Sequence, residues 1–496
     1  MKKLLKKYWI FILFVIPFVF ICFENKTPDN DIWFLLTNGR YVFEHGIPNI
    51  DPFTIHEGLS LVMQQWGAAA IFWGIYQYIG HYGLLIFIYI ISFLLMIATY
   101  KLYYRASNNR FFSVIFTTFV YTLIYNSVVL RPQVFTFLIL VVELYLLESY
   151  VIKKSSKYLY VLPFLSILLV NLHASMWYFQ FVFMLPFLLN AIKIKKITID
   201  KVRIKPLLVV IVLMIIGGFL NPYGYEALTF IFKSYGISEI NSTVSEMKYL
   251  TFESIFCKVA LLLLFLMICI CNYRKDLKMD IRHFLFVCGT TILLFMHIKC
   301  APYFFLVYFY SFSYLVRKLK IKNKIFEQIV FKAMINGLKI GLIGMLIFTF
   351  IFTCYYSIKG YSFKTYLVGD ITDYLLEHYN KEDIRLYVDF NNGGYTEFMG
   401  IKSYIDGRAE LFFEKFNDKE DIFSEYKDLR EDYYFDYEKF LKKYNFTHLY
   451  VYEYEFLDIY MKNNDDYEVV YVEYFDEAKT QEYLKLYARK DLEVKK

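Results

Sequence analysis

The chain predicts an α-helical polytopic membrane protein of about eleven transmembrane helices, carrying a C-terminal extracytoplasmic α/β domain. Three observations predict it. First, 58% of its 496 residues are hydrophobic and 21% aromatic, against about 45–50% apolar in an ordinary soluble domain. Second, apolar runs of near-span length recur along the chain, and the loops between them alternate between basic and cation-poor. Third, charge is divided. From residue 363 onward there are 31 acidic and 19 basic residues, leaving 16 and 35 before it. The basic excess follows membrane topology rather than nucleic-acid binding. The expected organisation is therefore a membrane domain over 1–362, with a first outer loop at 24–81, and an outer domain over 363–496.

Met1 to Lys7 holds four lysines and precedes the apolar run 8–23. No small-residue cleavage site follows, so this is expected to be a retained anchor with its basic end in the cytoplasm. Ten further runs lie near 82–100, 111–129, 133–151, 158–171, 175–192, 206–220, 257–273, 282–298, 301–316 and 337–357. With the N-terminus inside, five loops fall on the cytoplasmic face, and all five are basic. The groups around Arg105, Lys154, Lys196, Lys275 and Lys320 belong to them. The intervening loops carry few cations, as the positive-inside rule requires. A multi-pass protein of the cell membrane, with its C-terminal domain outside, is the expectation.

Within the first outer loop, Thr27 to Pro52 reads TPDNDIWFLLTNGRYVFEHGIPNIDP. Asp29 and Asp31 stand at the head of a short amphipathic helix expected to lie on the membrane and to be closed by Gly46 and Pro48. Residues 65–78 form a second apolar-aromatic stretch, too short for a span, expected to be interfacial. The C-terminal part changes to mixed periodicity. Strands are expected at 384–390, 448–454, 467–473 and 483–488, and helices at 371–379 and 437–444, with turns at Asn392-Gly393-Gly394 and Asp406-Gly407-Arg408. The seven cysteines lie in or beside apolar runs and form no CxxC pair, so neither a disulfide framework nor a zinc site is expected.

On this topology the polar residues near membrane boundaries gather at the outer face. They are Asp29, Asp31, His56, Arg131, Asn171, His173, Asn221, His297 and Lys299. Ionisable groups at membrane depth are expensive and usually face a cavity, so a pocket is expected there.

The motifs Asp29-Asn30-Asp31-Ile32-Trp33, Gly39-Arg40 and Ile47-Pro48-Asn49-Ile50-Asp51-Pro52-Phe53 resemble a group of bacterial multispan proteins with the glycosyltransferase-C (GT-C) fold. Leu130-Arg131-Pro132-Gln133, Asn171-Leu172-His173, Asn221-Pro222-Tyr223-Gly224 and Asp406-Gly407-Arg408 resemble the same group. Phe34-Leu35 and Gln64-Gln65 depart from it, standing where such proteins often carry a histidine and an acid. The resemblance implies transfer of a sugar from a polyprenyl-phosphate-linked donor to an acceptor outside the cell, a surface polymer, glycolipid or protein. Asp31 and Asp29 then become the catalytic candidates, since a carboxylate can take the proton of an attacking hydroxyl. Arg131, His173, His297 and Lys299 are the candidates for the leaving phosphate, which needs cations or hydrogen-bond donors.

No metal-ligand spacing is present, so a divalent cation, Mg²⁺ or Mn²⁺, would be held partly by the substrate phosphate. The partners implied are the lipid-linked sugar, membrane lipid and a cell-surface acceptor, with no nucleic acid. Other readings stay open: Asp31 as a helix cap, a transporter or flippase of a lipid-linked precursor, and a non-catalytic membrane assembly protein.

Overall fold

The computed structural model describes residues 30–192, 199–234, 237, 247–274, 277–319, 368–474 and 482–495. The expected anchor at 8–23, the eleventh run at 337–357 and Asp29 lie outside the described residues. The helices are α1 (Asp31–His45), α2 (Trp66–Ser107), α3 (Arg110–Ile124), α4 (Gln133–Lys153), α5 (Leu162–Leu172), α6 (Tyr178–Ala191), α7 (Ile204–Gly218), α8 (Tyr225–Ser234), α9 (Ile255–Tyr273), α10 (Ile281–Met296) and α11 (Ala301–Leu319). The C-terminal region adds α12 (Gly369–His378), β1 (Leu386–Tyr387), α13 (Gly393–Phe398), α14 (Ile422–Glu431), α15 (Tyr437–Tyr444), β2 (His448–Tyr452), α16 (Phe456–Met461), β3 (Tyr467–Tyr474) and β4 (Glu482–Arg489).

The chain divides into two compact units. The first comprises Leu85–Gly224 and the described part of Ile240–Tyr361. Here each apolar run from 111–129 to 301–316 coincides with a helix, and 82–100 lies within α2. Across the described residues, four helical stretches are long and apolar enough to cross a membrane: α2, α4, Ala174–Ala191 and α9. The expected eleven spans are therefore not all found. Helices α7 and α10 have 15 and 16 residues. At 1.5 Å per residue each reaches only about 22–24 Å, short of a hydrocarbon layer roughly 30 Å thick.

A buried ionic lock ties this bundle together. The Arg282 guanidinium, at the start of α10, donates to Glu148 of α4 at 3.2 and 3.3 Å and pairs with Asp280. Tyr310 of α11 donates to the same Glu148 at 2.6 Å. Glu148 and Arg282 are fully buried, which is tolerable because each charge has a partner and further hydrogen bonds.

The second unit comprises Thr27–Leu84, Tyr225–Glu239 and Ser362–Lys496. Its sheet runs in the order β1-β2-β4-β3. β1 is parallel to β2, and the other pairs are antiparallel. The expected strands are present, although the first shortens to two residues. Helix α13 replaces the turn expected at Asn392-Gly393-Gly394. Its glycines serve close packing: a Cβ on Gly393 would meet the Ile405 carbonyl oxygen at 1.9 Å.

In the first outer loop the stretch 65–78 is helical, and a non-helical Gly80 (φ 69°) separates it from the longer helix that completes α2. The positive φ suits glycine and allows the break. Helix α1 does not present one face to an apolar layer, because Ile32 to Gly39 are all buried. Both sides of its first half pack inside the second unit, against α13 and the start of α2.

Candidate functional site

Asp31 sits in the first turn of α1, one residue inside the N-cap position occupied by Asn30. The cap reading therefore does not describe it, although the helix dipole favours negative charge there. Its placement is set by how α1 is clamped. Trp33 lies edge-on to Tyr395, with ring centroids 4.9 Å apart, and 5.0 Å from Phe398. Gly39 lets α1 touch the backbone of α2, since a Cβ there would lie 2.2 Å from the Ala69 oxygen. The Arg40 guanidinium donates to the Phe398 carbonyl at 3.0 Å and lies over the Trp73 and Phe398 rings. The Gly39-Arg40 pair thus docks α1 and covers the C-terminal carbonyls of α13.

Asp31 faces the Asp406-Gly407-Arg408 turn. Its Oδ1 is 3.4 Å from where a Cβ on Gly407 would stand, and Phe34 is as close to the same point. A Cβ at position 407 would rest in ordinary contact with the first turn of α1. Beside it, Arg408 gathers three carboxylates. Its Nε donates to both Asp406 oxygens at 3.0 Å, Nη1 to Asp51 at 2.6 Å, and Nη2 to Glu397 at 3.4 Å as well as to Asp406. Asp51 also accepts from the Thr54 amide at 3.0 Å and hydroxyl at 2.8 Å. Ser403 donates to Glu397 at 2.5 Å.

This cluster joins the Ile47–Phe53 motif to the Asp406-Gly407-Arg408 motif, and Asp51 and Arg408 stand 357 residues apart in the chain. Burial and the neighbouring Asp406 push the Glu397 carboxyl well above its ordinary range. Burial opposes ionisation of Asp406 too, but Arg408 holds that carboxyl below its ordinary value. Of the two, Glu397 holds its proton the more tightly. A small cleft of about 230 Å³ opens next to it, lined by Thr37, Arg40, Tyr41, Phe53 and Glu397 among others. His56 is a strut: its Nε2 is 2.7 Å from the Tyr404 carbonyl, and burial lowers its pKa.

The phosphate candidates belong to the first unit. Arg131 lies in the turn that starts α4, where the Val134 amide donates to its carbonyl at 3.1 Å. One turn into α4, Thr136 shares a 2.8 Å hydrogen bond with Nδ1 of His173, leaving Nε2 as that ring's other polar atom. Burial, with Lys299 as a nearby positive charge, pushes the His173 imidazole down to about 3. His173 is therefore a neutral hydrogen-bonding group, not a cation. Lys299 is exposed, in the short turn before α11. The structure thus brings the head of α4, His173 and Lys299 together. His297 has its Nδ1 2.7 Å from the Met247 carbonyl.

The other motifs of this unit are structural. Asn171 donates to the Leu220 and Ile167 carbonyls, and Asn221 closes its own turn by bonding Gly218, Gly224 and the Tyr223 amide.

Among the described residues no group of three or more His, Cys, Asp or Glu side chains is placed to hold a metal ion. The acids flanking the turn beside Asp31 are turned toward Arg408, so they do not form a ready cation site. Glu397 and Arg40 are the residues that the sequence reading missed as partners of the site. Their only sequence signal was proximity to the glycine-rich turns and the Gly-Arg pair.

No protein-family model and no curated protein matches the chain. Solved structures do. The apo form of the Archaeoglobus fulgidus oligosaccharyltransferase matches with a TM-score of 0.54 at 11% identity, covering 90% of this chain and 70% of that one. The archaeal oligosaccharyltransferase AglB of the same organism, in complex with an inhibitory peptide and a dolichol-phosphate, matches with the same score, identity and coverage. At this identity the likeness concerns the fold. Apolar helices, a small C-terminal sheet and these neighbours agree: the chain is a multi-pass helical membrane protein whose fold is similar to that of the archaeal oligosaccharyltransferase.

Proposed function

We propose that the protein is a GT-C-type glycosyltransferase that moves a sugar from a polyprenyl-phosphate-linked donor to an extracytoplasmic acceptor. The observation that carries this is Asp31, fixed at the head of α1 against the Gly407 turn within a GT-C-like fold. Asp31 takes the proton of the acceptor's nucleophile as it attacks the anomeric carbon. The bond from that carbon to the phosphate oxygen breaks, and the polyprenyl phosphate leaves as an anion. The phosphate-binding candidates of the first unit are Arg131 and Lys299, which carry positive charge, and neutral His173, which can donate a hydrogen bond from Nε2. Asp29 assists Asp31 or shares a divalent cation with the substrate phosphate; no step requires that cation. His297, whose Nδ1 is bonded to the Met247 carbonyl, offers Nε2 as a further hydrogen-bonding group.

In this reading the N-terminus is cytoplasmic and the second unit lies outside the cell. Its Arg408 cluster keeps the first outer loop in shape around Asp31.

The test is complementation of a deletion strain, read by mass spectrometry of surface glycans and by the level of the protein in membranes. Wild type restores a glycan that Asp31→Asn does not, at equal membrane abundance. An Asp31→Asn strain with wild-type glycans removes Asp31 from the chemistry. A deletion that leaves all surface glycans unchanged removes the transferase reading.

A further inference from the structure

The second unit holds a larger open groove that the transfer reading does not use. It lies among α15, α16 and the ends of β3 and β4, and encloses about 1030 Å³. That is at the upper end of the roughly 300–1,000 Å³ of small-molecule sites. We propose that this groove binds a carbohydrate chain.

The floor is aromatic and already satisfied. Tyr437 and Tyr460 stack with centroids 5.2 Å apart. The Tyr437 hydroxyl donates to the Leu429 carbonyl at 3.0 Å, and the Tyr467 hydroxyl to the Phe446 carbonyl at 2.7 Å. Tyr437 and Tyr467 are buried beneath the groove, and the half-buried rings of Phe435, Phe456 and Tyr460 line it above them. At one end Tyr433 and Tyr434 stand at right angles, 73% and 88% exposed. Tyrosines with open faces are costly surface unless something stacks on them, and they do so with little loss of side-chain freedom.

The charges along the groove are largely paired with each other. Glu438 pairs with Lys442 at 2.5 Å, Asp491 with Arg489 at 2.6 Å, and Lys490 donates to the Asp465 carbonyl at 2.7 Å. The lining holds four carboxylates against three cations. A nucleic acid or anionic headgroup calls for the opposite balance. The polar groups still on offer are planar amides and carboxylates. The Asn464 amide nitrogen and the Asp466 carboxylate make no hydrogen bond to the described residues. Flat rings for C–H faces, beside amide and carboxylate groups for hydroxyls, match a neutral polyhydroxylated chain.

This proposal goes beyond the transferase reading and does not depend on it, because binding is measured without turnover. The full-length protein in lipid nanodiscs, free of sugar-headed detergent, is titrated with maltohexaose, cellohexaose and chitohexaose. Saturation-transfer NMR reads contact, and hydrogen exchange reads protection at 433–437 and 463–466. At least one oligosaccharide is expected to bind. Tyr433→Ala with Tyr434→Ala should weaken it by about tenfold, and Tyr434→Phe by no more than about twofold, because stacking carries the affinity. Asp31→Asn should bind as the wild type does, so failure of the transfer reading is told apart from failure of this one. Binding of none of the three sugars overturns the proposal. So does undiminished binding by a double-alanine variant that melts like the wild type.

Discussion

Arg408 is the residue whose removal tests most of the structural reasoning. Its side chain is 9% exposed and meets Asp406, Asp51 and Glu397, whose side chains are 0–1% exposed. Replacing it with methionine keeps the length of the side chain and deletes the charge. Asp51 keeps its Thr54 donors and Asp406 keeps the backbone amide of residue 408, but two buried carboxylates lose their cation. Stripping one partner from a buried ion pair costs about 3–5 kcal/mol, and Arg408→Met should cost that much locally.

Native-state hydrogen exchange of the full-length protein reads it. The reporters are the Asp51 amide, bonded to the Leu59 carbonyl at 2.9 Å, and the Ile55 amide, bonded to the Ser403 carbonyl at 2.9 Å. The pH dependence gives a second reading. Asp406 is held below its ordinary value, so its contribution is present above that value and lost as pH falls through the lower, folded one. Arg408→Met should flatten this acid-side loss. Glu397 is raised, so its contribution is full below its ordinary 4.5 and lost as pH rises through the raised value. Glu397→Gln should remove this fall in stability above 4.5 and leave a flatter profile. Protection of Asp51 and Ile55 that falls by less than about 1 kcal/mol in Arg408→Met, the size of an ordinary surface change, would refute the cluster as the tie between the two segments.

Other predictions bear on the same unit. Gly39→Ala places a methyl 2.2 Å from the Ala69 oxygen and 2.6 Å from the Trp73 Cβ. It should destabilise the α1–α2 contact by roughly 1–3 kcal/mol or more and abolish glycan complementation along with it. Melting temperature and complementation check it, and a variant normal in both would contradict the close packing. His448 is pushed down to about 4 by burial, with Arg489 adding to the effect. A lowered histidine stabilises the fold above its ordinary 6.5 and loses that stability as pH falls toward about 4. His448→Leu should therefore flatten the melting curve against pH across that window, and an unchanged slope would point to another group. Asp31→Asn, by contrast, should leave melting unchanged while abolishing the glycan.

Much of this architecture was readable in the residues. Apolar period and loop charge placed the helices of the first unit, because a chain in lipid must satisfy its backbone within each segment. Alternation placed β2, β3 and β4, and glycine with aspartate marked the turn at 406–408. Local signals of this kind act over a few residues, so they survive in the sequence.

What tertiary structure alone decided was partnership across long separations. That Asp51 would meet Arg408, that Arg40 would reach the Phe398 carbonyl, and that Glu148 would neutralise Arg282 depend on the packing of distant segments. So does the burial of α1 on both sides: its amphipathic pattern predicted one covered face, and glycines at 39 and 394 let neighbouring segments close over the other. A residue's type states what it can bond to, and only the folded chain brings the bonding partner within 3 Å.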